Sequence, residues 1–383
     1  MPVLIAVACI PVLIWTFLLF GRDSFWRVSR HLSMLDTPPQ LPSNVVVVIP
    51  ARNEASGIER AVSSLLEQQL PGLLRIIVVD DNSDDGTGDL ARRAAERLSK
   101  DKQITVLQGQ PLPAGWTGKM WAVAQGIAEA ETLAPDYLLL TDADVEHGPS
   151  NVSELVRRAE VESYDLVSYM VKLSCETPAE KALIPAFVFF FFLLYPPAAI
   201  RSSRSKTAGA AGGCMLIRTA ALQMSGGIAQ IRSEVIDDCA LAKVIKSSGG
   251  RVWLGLTNST RSLRRYSTFS EIERMIARTA FNQLRHSWLL LAGTCLGLAF
   301  TYLLPVALLF SGRLVPALLG AVAWTLMSIA YFPMVRFYRC AGLWSVMLPC
   351  VALFYMAATV HSAVQYASGR GGQWKGRNQD IKT

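Results

Sequence analysis

Two aspartates one residue apart, Asp142 and Asp144 of Thr141-Asp142-Ala143-Asp144-Val145, stand at the polar end of the apolar run Tyr137-Leu138-Leu139-Leu140. Both carboxylates of such a turn can reach one hard cation. Mg²⁺ and Mn²⁺ prefer carboxylate, water and phosphate oxygens, and an ion held this way keeps open positions for a diphosphate. Asp-x-Asp also occurs in solvated acidic turns and helix caps, so its neighbours decide what it means. Upstream, Asp80-Asp81-Asn82-Ser83-Asp84-Asp85-Gly86-Thr87 ends a second apolar run. Clustered carboxylates there are costly unless solvated or bound, and the Gly and distal Glu spacing of an EF-hand is absent. Lys119 follows Gly115-Trp116-Thr117-Gly118 at a helix entrance. It can reach a phosphate or, more plainly, snorkel along the surface. Asp237 and Asp238 fall in the first turn of a helix expected over 234–247, where the dipole stabilises carboxylates in any case.

These residues need elements to carry them. Val45-Val46-Val47-Val48-Ile49 reads as a buried strand ending at Pro50-Ala51-Arg52-Asn53-Glu54. Ser56 and Glu59 suggest a capping box, with Ile58, Val62, Leu65 and Leu66 on one face of the helix that follows. Further strands are expected at 75–79, 103–107, 137–140, 166–173, 214–218 and 251–256, alternating with helices. That alternation predicts one α/β domain with a mostly parallel sheet. Ligands of such sheets sit outside the carboxyl ends of the strands, where both acidic turns lie. Ala208 to Gly213 is a glycine-rich approach suited to a backbone lying close to a ligand. An amphipathic helix is expected over 270–287, behind the basic residues Arg261, Arg264 and Arg265.

With 383 residues, 51% of them hydrophobic, and a mean hydropathy of +0.31, part of the chain is expected in lipid. Residues 3–20 are one apolar stretch followed by Arg22, Arg27 and Arg30, the pattern of an uncleaved anchor with its following side in the cytoplasm. Three more such stretches lie at about 289–310, 314–335 and 344–367. The apolar stretch 183–200, with Phe187 to Phe192, is expected at the membrane surface or re-entering, because a crossing there would split the site. The seven cysteines show no Cys-x-x-Cys spacing and read as reduced packing residues. The net charge of +7 suits anionic lipid and, without aromatic-interleaved basic stripes, not nucleic acid. The expected organisation is an anchor at 1–21, a linker at 22–43, a catalytic domain at 44–287, membrane helices at 288–367 and a basic tail at 368–383. The basic tail favours the cytoplasmic side, while three crossings would place it outside.

Together the residues suit a nucleoside diphosphate with a metal ion. The acidic loop can bond base or ribose, an ion at Asp144 can neutralise a departing diphosphate, and Asp238 can deprotonate an attacking hydroxyl. A Gly-x-x-x-x-Gly-Lys-[Ser/Thr] phosphate loop is absent, which argues against P-loop ATP hydrolysis.

The ordered set Pro50-Ala51-Arg52-Asn53-Glu54, Val79-Asp80-Asp81 through Thr87, Asp142-Ala143-Asp144, Gly212-Gly213 and Ile236-Asp237-Asp238 resembles the family 2 glycosyltransferases, inverting enzymes of the GT-A (Rossmann-like) fold. The Gly115-to-Lys119 loop, Gln283-Leu284-Arg285-His286-Ser287 and the terminal apolar stretches look like the hopanoid-associated membrane branch. The resemblance implies a hexosyl transfer from a nucleotide sugar, a UDP-sugar by expectation, to a lipid at the inner membrane, with the catalytic domain cytoplasmic. It implies donor contacts from Pro50, Ala51, Arg52, Glu54, Asp80, Asp81, Lys119 and Asp142, and Mg²⁺ or Mn²⁺ at Asp142 and Asp144. Gly212, Gly213, Gln283 and Arg285 would face the acceptor, with Asp238 as the base beside Asp237. Asp237-Asp238 stands where the family commonly has Glu-Asp. The Gln-x-x-Arg-Trp motif of processive relatives is not reproduced, so a single transfer is expected. Two other classes compete: a polytopic transporter or scaffold that senses nucleotide, and a GT-A-like nucleotidyltransferase. The latter would carry a glycine-rich basic loop where Arg52-Asn53-Glu54-Ala55 stands.

Overall fold

The computed structural model describes residues 2–32 and 42–369, with the backbone alone of 373–374 and 377–378. Residues 33–41 of the expected 22–43 linker, with Pro38 and Pro39, and Arg370, Lys375 and Lys382 of the basic tail lie outside the described residues. The chain divides into two compact units. One comprises 31–174, 199–265 and 373–383; the other comprises 1–30, 175–198 and 266–372. Residues 175–198 and 266–287 therefore group with the apolar helices, inside what the sequence suggested as one domain at 44–287.

The first unit is built on eight strands: β1 Ser43–Ala51, β2 Gly72–Asp80, β3 Ile104–Gln108, β4 Tyr137–Thr141, β5 Val145–Glu146, β6 Leu166–Lys172, β7 Cys214–Arg218 and β8 Val252–Ser262, in the order β3-β2-β1-β4-β7-β6-β8-β5. The pairs β1–β2, β1–β4, β2–β3 and β6–β8 are parallel, and β7 runs antiparallel between β4 and β6. This is the mixed α/β, Rossmann-like sheet of the GT-A fold that the resemblance implies; the alternation of strands and helices predicts an α/β domain, with more of its sheet parallel than is found. β1 is buried along its whole length except Asn44, because helices cover both of its faces. Val45, Val47 and Ile49 meet Ile58, Val62 and Leu65 of the helix Ile58–Leu66 in one core. On the other face Gly126, in the helix Gly118–Glu131, lies so close that a Cβ would stand 2.4 Å from Val48 Cγ1 and 3.1 Å from Val79 Cγ2.

Two local expectations fail for physical reasons. Gly57, not Ser56, caps the helix Ile58–Leu66, without a side-chain bond. The Glu54 carbonyl accepts the N–H groups of Gly57 and Ile58 at 3.0 Å each, and Glu59 turns outward to pair with Arg97. The expected 270–287 helix is broken into Phe269–Ala277 and Ala280–Gln283. Arg285 and His286 take φ of 52° and 55°, a left-handed conformation that no helix of L-residues continues. Arg285 is thus in a loop.

Among the described residues of the second unit, four helices are long and apolar enough to cross a membrane: Pro2–Phe20, Trp288–Leu309, Leu314–Phe337 and Leu348–Ala367. The helix Pro178–Leu194 starts with a capping box between Thr177 and Glu180. It buries Phe189 and Phe192, with Phe189 against Phe25 and Tyr331 and Phe190 against Tyr302 and Tyr355. Pro305 illustrates how apolar helices tolerate proline. It lacks the N–H that the Thr301 carbonyl would accept, and the helix adopts a π turn at Ala299–Leu303. The Trp15 indole N–H donates to that carbonyl at 2.9 Å instead.

Candidate active site

Strand direction assembles the site. β1, β2 and β4 are parallel, so Arg52, Asp81 and Asp142 emerge from one edge of the sheet. β7 runs the other way with Thr141 opposite Cys214, which brings the residues before it, Gly212 and Gly213, to that same edge. The helix Asp237–Ser247 begins with Asp237 and Asp238 in its first turn. The Asp238 Oδ2 accepts from the Gly212 N–H at 2.9 Å, and Oδ1 accepts from the Cys239 N–H at 2.7 Å.

Lys119 closes the constellation. Thr117 caps its helix, accepting from the Met120 N–H. The Lys119 ammonium lies 3.0 Å from Asp142 Oδ1 and 3.1 Å from Asp237 Oδ2. Burial works against its charge, but Asp142 and Asp237, with Asp238, outweigh that and hold its pKa raised. Burial lifts the Asp238 carboxyl from 3.8 to about 6, helped by the Asp237 charge and opposed by the Cys239 N–H, Lys119 and the Gly212 N–H. Asp238 is thereby a carboxylate at neutral pH with more basicity than an ordinary aspartate. A small recess under these groups is lined by Met120, Val123, Leu140, Met215, Ile231 and Leu241.

The acidic loop after β2 is largely self-bound. Asp80 Oδ1 accepts from the Ser83 N–H at 3.0 Å. Asp85 accepts from the N–H groups of Ala55 and Thr87 and from the Thr87 hydroxyl, and those bonds outweigh burial to lower its pKa. Asp81 is buried, with Arg52 Nη1 donating to its carbonyl at 2.5 Å and standing 3.4 Å from its Oδ2. Glu54 presents its N–H to Thr87 Oγ1 at 2.9 Å. Pro50 and Ala51 are strand residues that close β1. Gln283 and Arg285 belong to the other unit, where Gln283 Nε2 donates to the Tyr195 hydroxyl at 2.6 Å.

The sequence reading missed a buried polar chain beneath the aspartate turn. The Thr141 hydroxyl donates to the Gly213 carbonyl at 2.7 Å and stands 2.9 Å from His147 Nε2. Asn151 Nδ2 lies 2.8 Å from His147 Nδ1, and Asn151 Oδ1 accepts from the Thr260 hydroxyl at 2.7 Å. The amide must donate to Nδ1, which assigns the ring proton to Nε2 and the neutral tautomer to His147. Burial pushes its pKa down to about 3. His147 and Asn151 stand four residues apart, the one signal available in the sequence.

Asp142 and Asp144 have the oxygen donors that Mg²⁺ or Mn²⁺ takes. Among the described residues no group of three or more His, Cys, Asp or Glu is arranged to hold a metal. An ion at these two carboxylates therefore fits only with further oxygens, such as those of a diphosphate.

Residues 46–225 match the family model described as glycosyl transferase family 2. Over those residues the chain is similar to that family. The chain is 32% identical over 141 residues to the probable glycosyltransferase YdaM of Bacillus subtilis, 34% of this chain and 32% of that protein. It is 31% identical over 128 residues to the undecaprenyl-phosphate 4-deoxy-4-formamido-L-arabinose transferase of Aeromonas hydrophila, 33% of this chain and 36% of that one. The chain thus spans about a third of the length of these relatives. Among solved structures it shares the fold of the mannosyltransferase PcManGT from Pyrobaculum calidifontis, determined in complex with GDP-Man and Mn²⁺. The TM-score is 0.57 at 19% identity, over 94% of this chain and 99% of that one.

Proposed function

We propose that this chain is a membrane-bound inverting glycosyltransferase that moves one sugar from a nucleoside-diphosphate sugar to a lipid hydroxyl. The observation that carries the proposal is the convergence of Asp142, Asp237 and Asp238 on Lys119, with Asp238 aimed by the Gly212 N–H. One carboxylate of raised basicity beside an anion-binding cation suits a reaction that takes up a proton and releases a diphosphate.

In this mechanism the acceptor oxygen attacks the anomeric carbon on the face opposite the diphosphate. The bond from that carbon to the phosphate oxygen breaks, its electron pair leaves with the diphosphate, and the hydroxyl proton passes to Asp238. A single displacement inverts the anomeric centre. Asp237 keeps Asp238 basic through its like charge, and Lys119 neutralises charge on the diphosphate. Arg52, Glu54, Asp80 and Asp81, with Pro50 and Ala51, shape the nucleoside end of the donor site. Asp142 and Asp144 would hold Mg²⁺ or Mn²⁺, which when bound supplies Lewis-acid neutralisation of the leaving group.

Four helices of membrane-crossing length and apolarity, and the undecaprenyl-phosphate acceptor in the name of one relative, support a lipid acceptor. Within that class we place it with hopanoids or related polycyclic and isoprenoid lipids, with the family 2 domain on the cytoplasmic side of the inner membrane. The test supplies membranes holding the full chain with UDP- and GDP-sugars, Mg²⁺ or Mn²⁺, and three acceptor pools: hydroxylated hopanoids, total lipid and polyprenyl phosphate. A mass gain of one sugar on a hydroxyl lipid supports the proposal. A gain on polyprenyl phosphate alone overturns the hydroxyl acceptor, and no gain from any donor overturns the transfer.

A further inference from the structure

Lys119 is the feature whose arrangement asks for more than a phosphate contact. Its ammonium stands between Asp142 and Asp237, at 3.0 and 3.1 Å, and its side chain is 21% exposed. A Cβ built on Gly212 would come within 3.6 Å of both Lys119 Nζ and Asp238 Oδ2. The lysine thus sits among three carboxylates from two elements, Asp142 after β4 and Asp237 and Asp238 in the first turn of the helix Asp237–Ser247. It already occupies the role of counter-ion at Asp142, the carboxylate that a divalent ion would use.

A divalent cation entering beside an ammonium meets charge repulsion, and the ion and lysine compete for the Asp142 carboxylate. Two changes remove the conflict. Either the lysine gains another anionic partner, or its charge is lost. A nucleoside diphosphate supplies the first. Its oxygens attract the ammonium away from Asp142 and at the same time complete the coordination that Asp142 and Asp144 leave open. The flexible lysine stem needs no backbone movement to make that exchange.

Resting on the reading of this site as a donor site, we infer that Lys119 is a resident counter-cation that couples metal to donor: a divalent ion binds tightly only together with a nucleoside diphosphate, because Lys119 must first release Asp142. Lys119 is then a positioning residue as well as a phosphate contact. In the donor-free protein it keeps Asp142 and Asp237 together.

Mn²⁺ binding to the detergent-purified full chain, followed by electron paramagnetic resonance of free Mn²⁺, tests this without turnover. Titrations are run with no nucleotide, with UDP and with GDP, on the wild type, Lys119→Met and Lys119→Arg. The wild type should bind Mn²⁺ at least about tenfold more tightly with one of the nucleotides than without, a coupling of ordinary size. Lys119→Met keeps the stem and removes the charge. It should bind Mn²⁺ without nucleotide about tenfold more tightly than the wild type, and lose most of the coupling. Lys119→Arg should retain it. Equal nucleotide-free affinity in the wild type and Lys119→Met overturns the inference, leaving the donor site itself intact. If Lys119→Met does not fold, the wild type still decides, because Mn²⁺ affinity that nucleotide does not change overturns it equally. Absence of both nucleotide and Mn²⁺ binding in every protein overturns the inference and the donor-site reading together.

Discussion

The Gly212 N–H donates to Asp238 Oδ2 at 2.9 Å. This bond joins the segment leading into β7 to the first turn of the helix Asp237–Ser247, and it fixes the direction of a carboxylate that would otherwise rotate. The position before β7 must be approachable from that side. A Cβ on Gly212 would meet Asp238 and Lys119 only at ordinary contact distance, whereas one on Gly213 would stand 2.9 Å from Val171 Cγ2. The two adjacent glycines thus answer to different constraints, one to the site and one to the sheet beneath it.

The raised Asp238 pKa sets a pH dependence. Above about 6 the carboxylate is ionised and accepts a proton; below it the group is protonated and cannot. Transfer measured as kcat/KM should therefore fall about tenfold per pH unit below pH 6 and level off above. Asp237→Asn removes the neighbouring charge that helps raise this pKa, so its profile should shift to lower pH. A profile flat from pH 4.5 to 7.5 would sever Asp238 from the proton transfer.

The same shift predicts a stability effect. A native pKa of about 6 against the ordinary 3.8 means that the folded state binds more protons between those values. Ionised Asp238 therefore costs stability above that window, and the cost disappears as pH falls through it. Asp238→Asn should be more stable than the wild type at pH 7.5, on the order of 1–2 kcal/mol, with the gain vanishing near pH 4. Thermal midpoints at the two pH values check the sign.

The buried chain through His147 predicts the opposite acid behaviour. Its native pKa is lowered to about 3, so below pH 6.5 the unfolded chain binds a proton that the folded one refuses, and stability falls as the medium is acidified. His147→Ala should cost about 2–4 kcal/mol at pH 7.5, because the Thr141 hydroxyl and the Asn151 amide lose a buried partner. It should also weaken the acid sensitivity between pH 6.5 and 4. Unfolding midpoints against pH for both proteins decide the point; parallel curves would contradict it.

Packing beneath the site gives a further contrast. Gly126→Ala drives a methyl against Val48 and Val79 and should destabilise by about 1–3 kcal/mol through overpacking. Gly212→Ala meets only ordinary contacts and should keep its thermal midpoint within about 0.5 kcal/mol equivalent. Denaturation of the two single variants under one condition separates the effects.

Much of this architecture was legible in the chain. Val45 to Ile49 and Tyr137 to Leu140 are runs that only two-sided burial explains, and the carboxylates after the second and fourth strands indicated the sheet edge at which Asp81 and Asp142 emerge. What could not be read depends on partners distant in sequence. The antiparallel direction of β7 places Gly212 beside Asp238, and nothing in Cys214 to Arg218 states that direction. Glu59 looked like a capping residue because Arg97, its partner, is on another helix. His147 is an ordinary surface candidate until Thr141, Asn151 and Thr260 surround it. Lys119 was expected to reach a phosphate, and its two aspartate partners come from different elements.

The measurement that tests the central claim most directly compares lipid glycosylation by the wild type and Asp238→Asn, with nucleotide affinity determined for both. The account predicts that the variant loses transfer by at least about a thousandfold while its nucleotide dissociation constant stays within about threefold, as expected for a group used in the transition state. Equal transfer rates in the two proteins would contradict it.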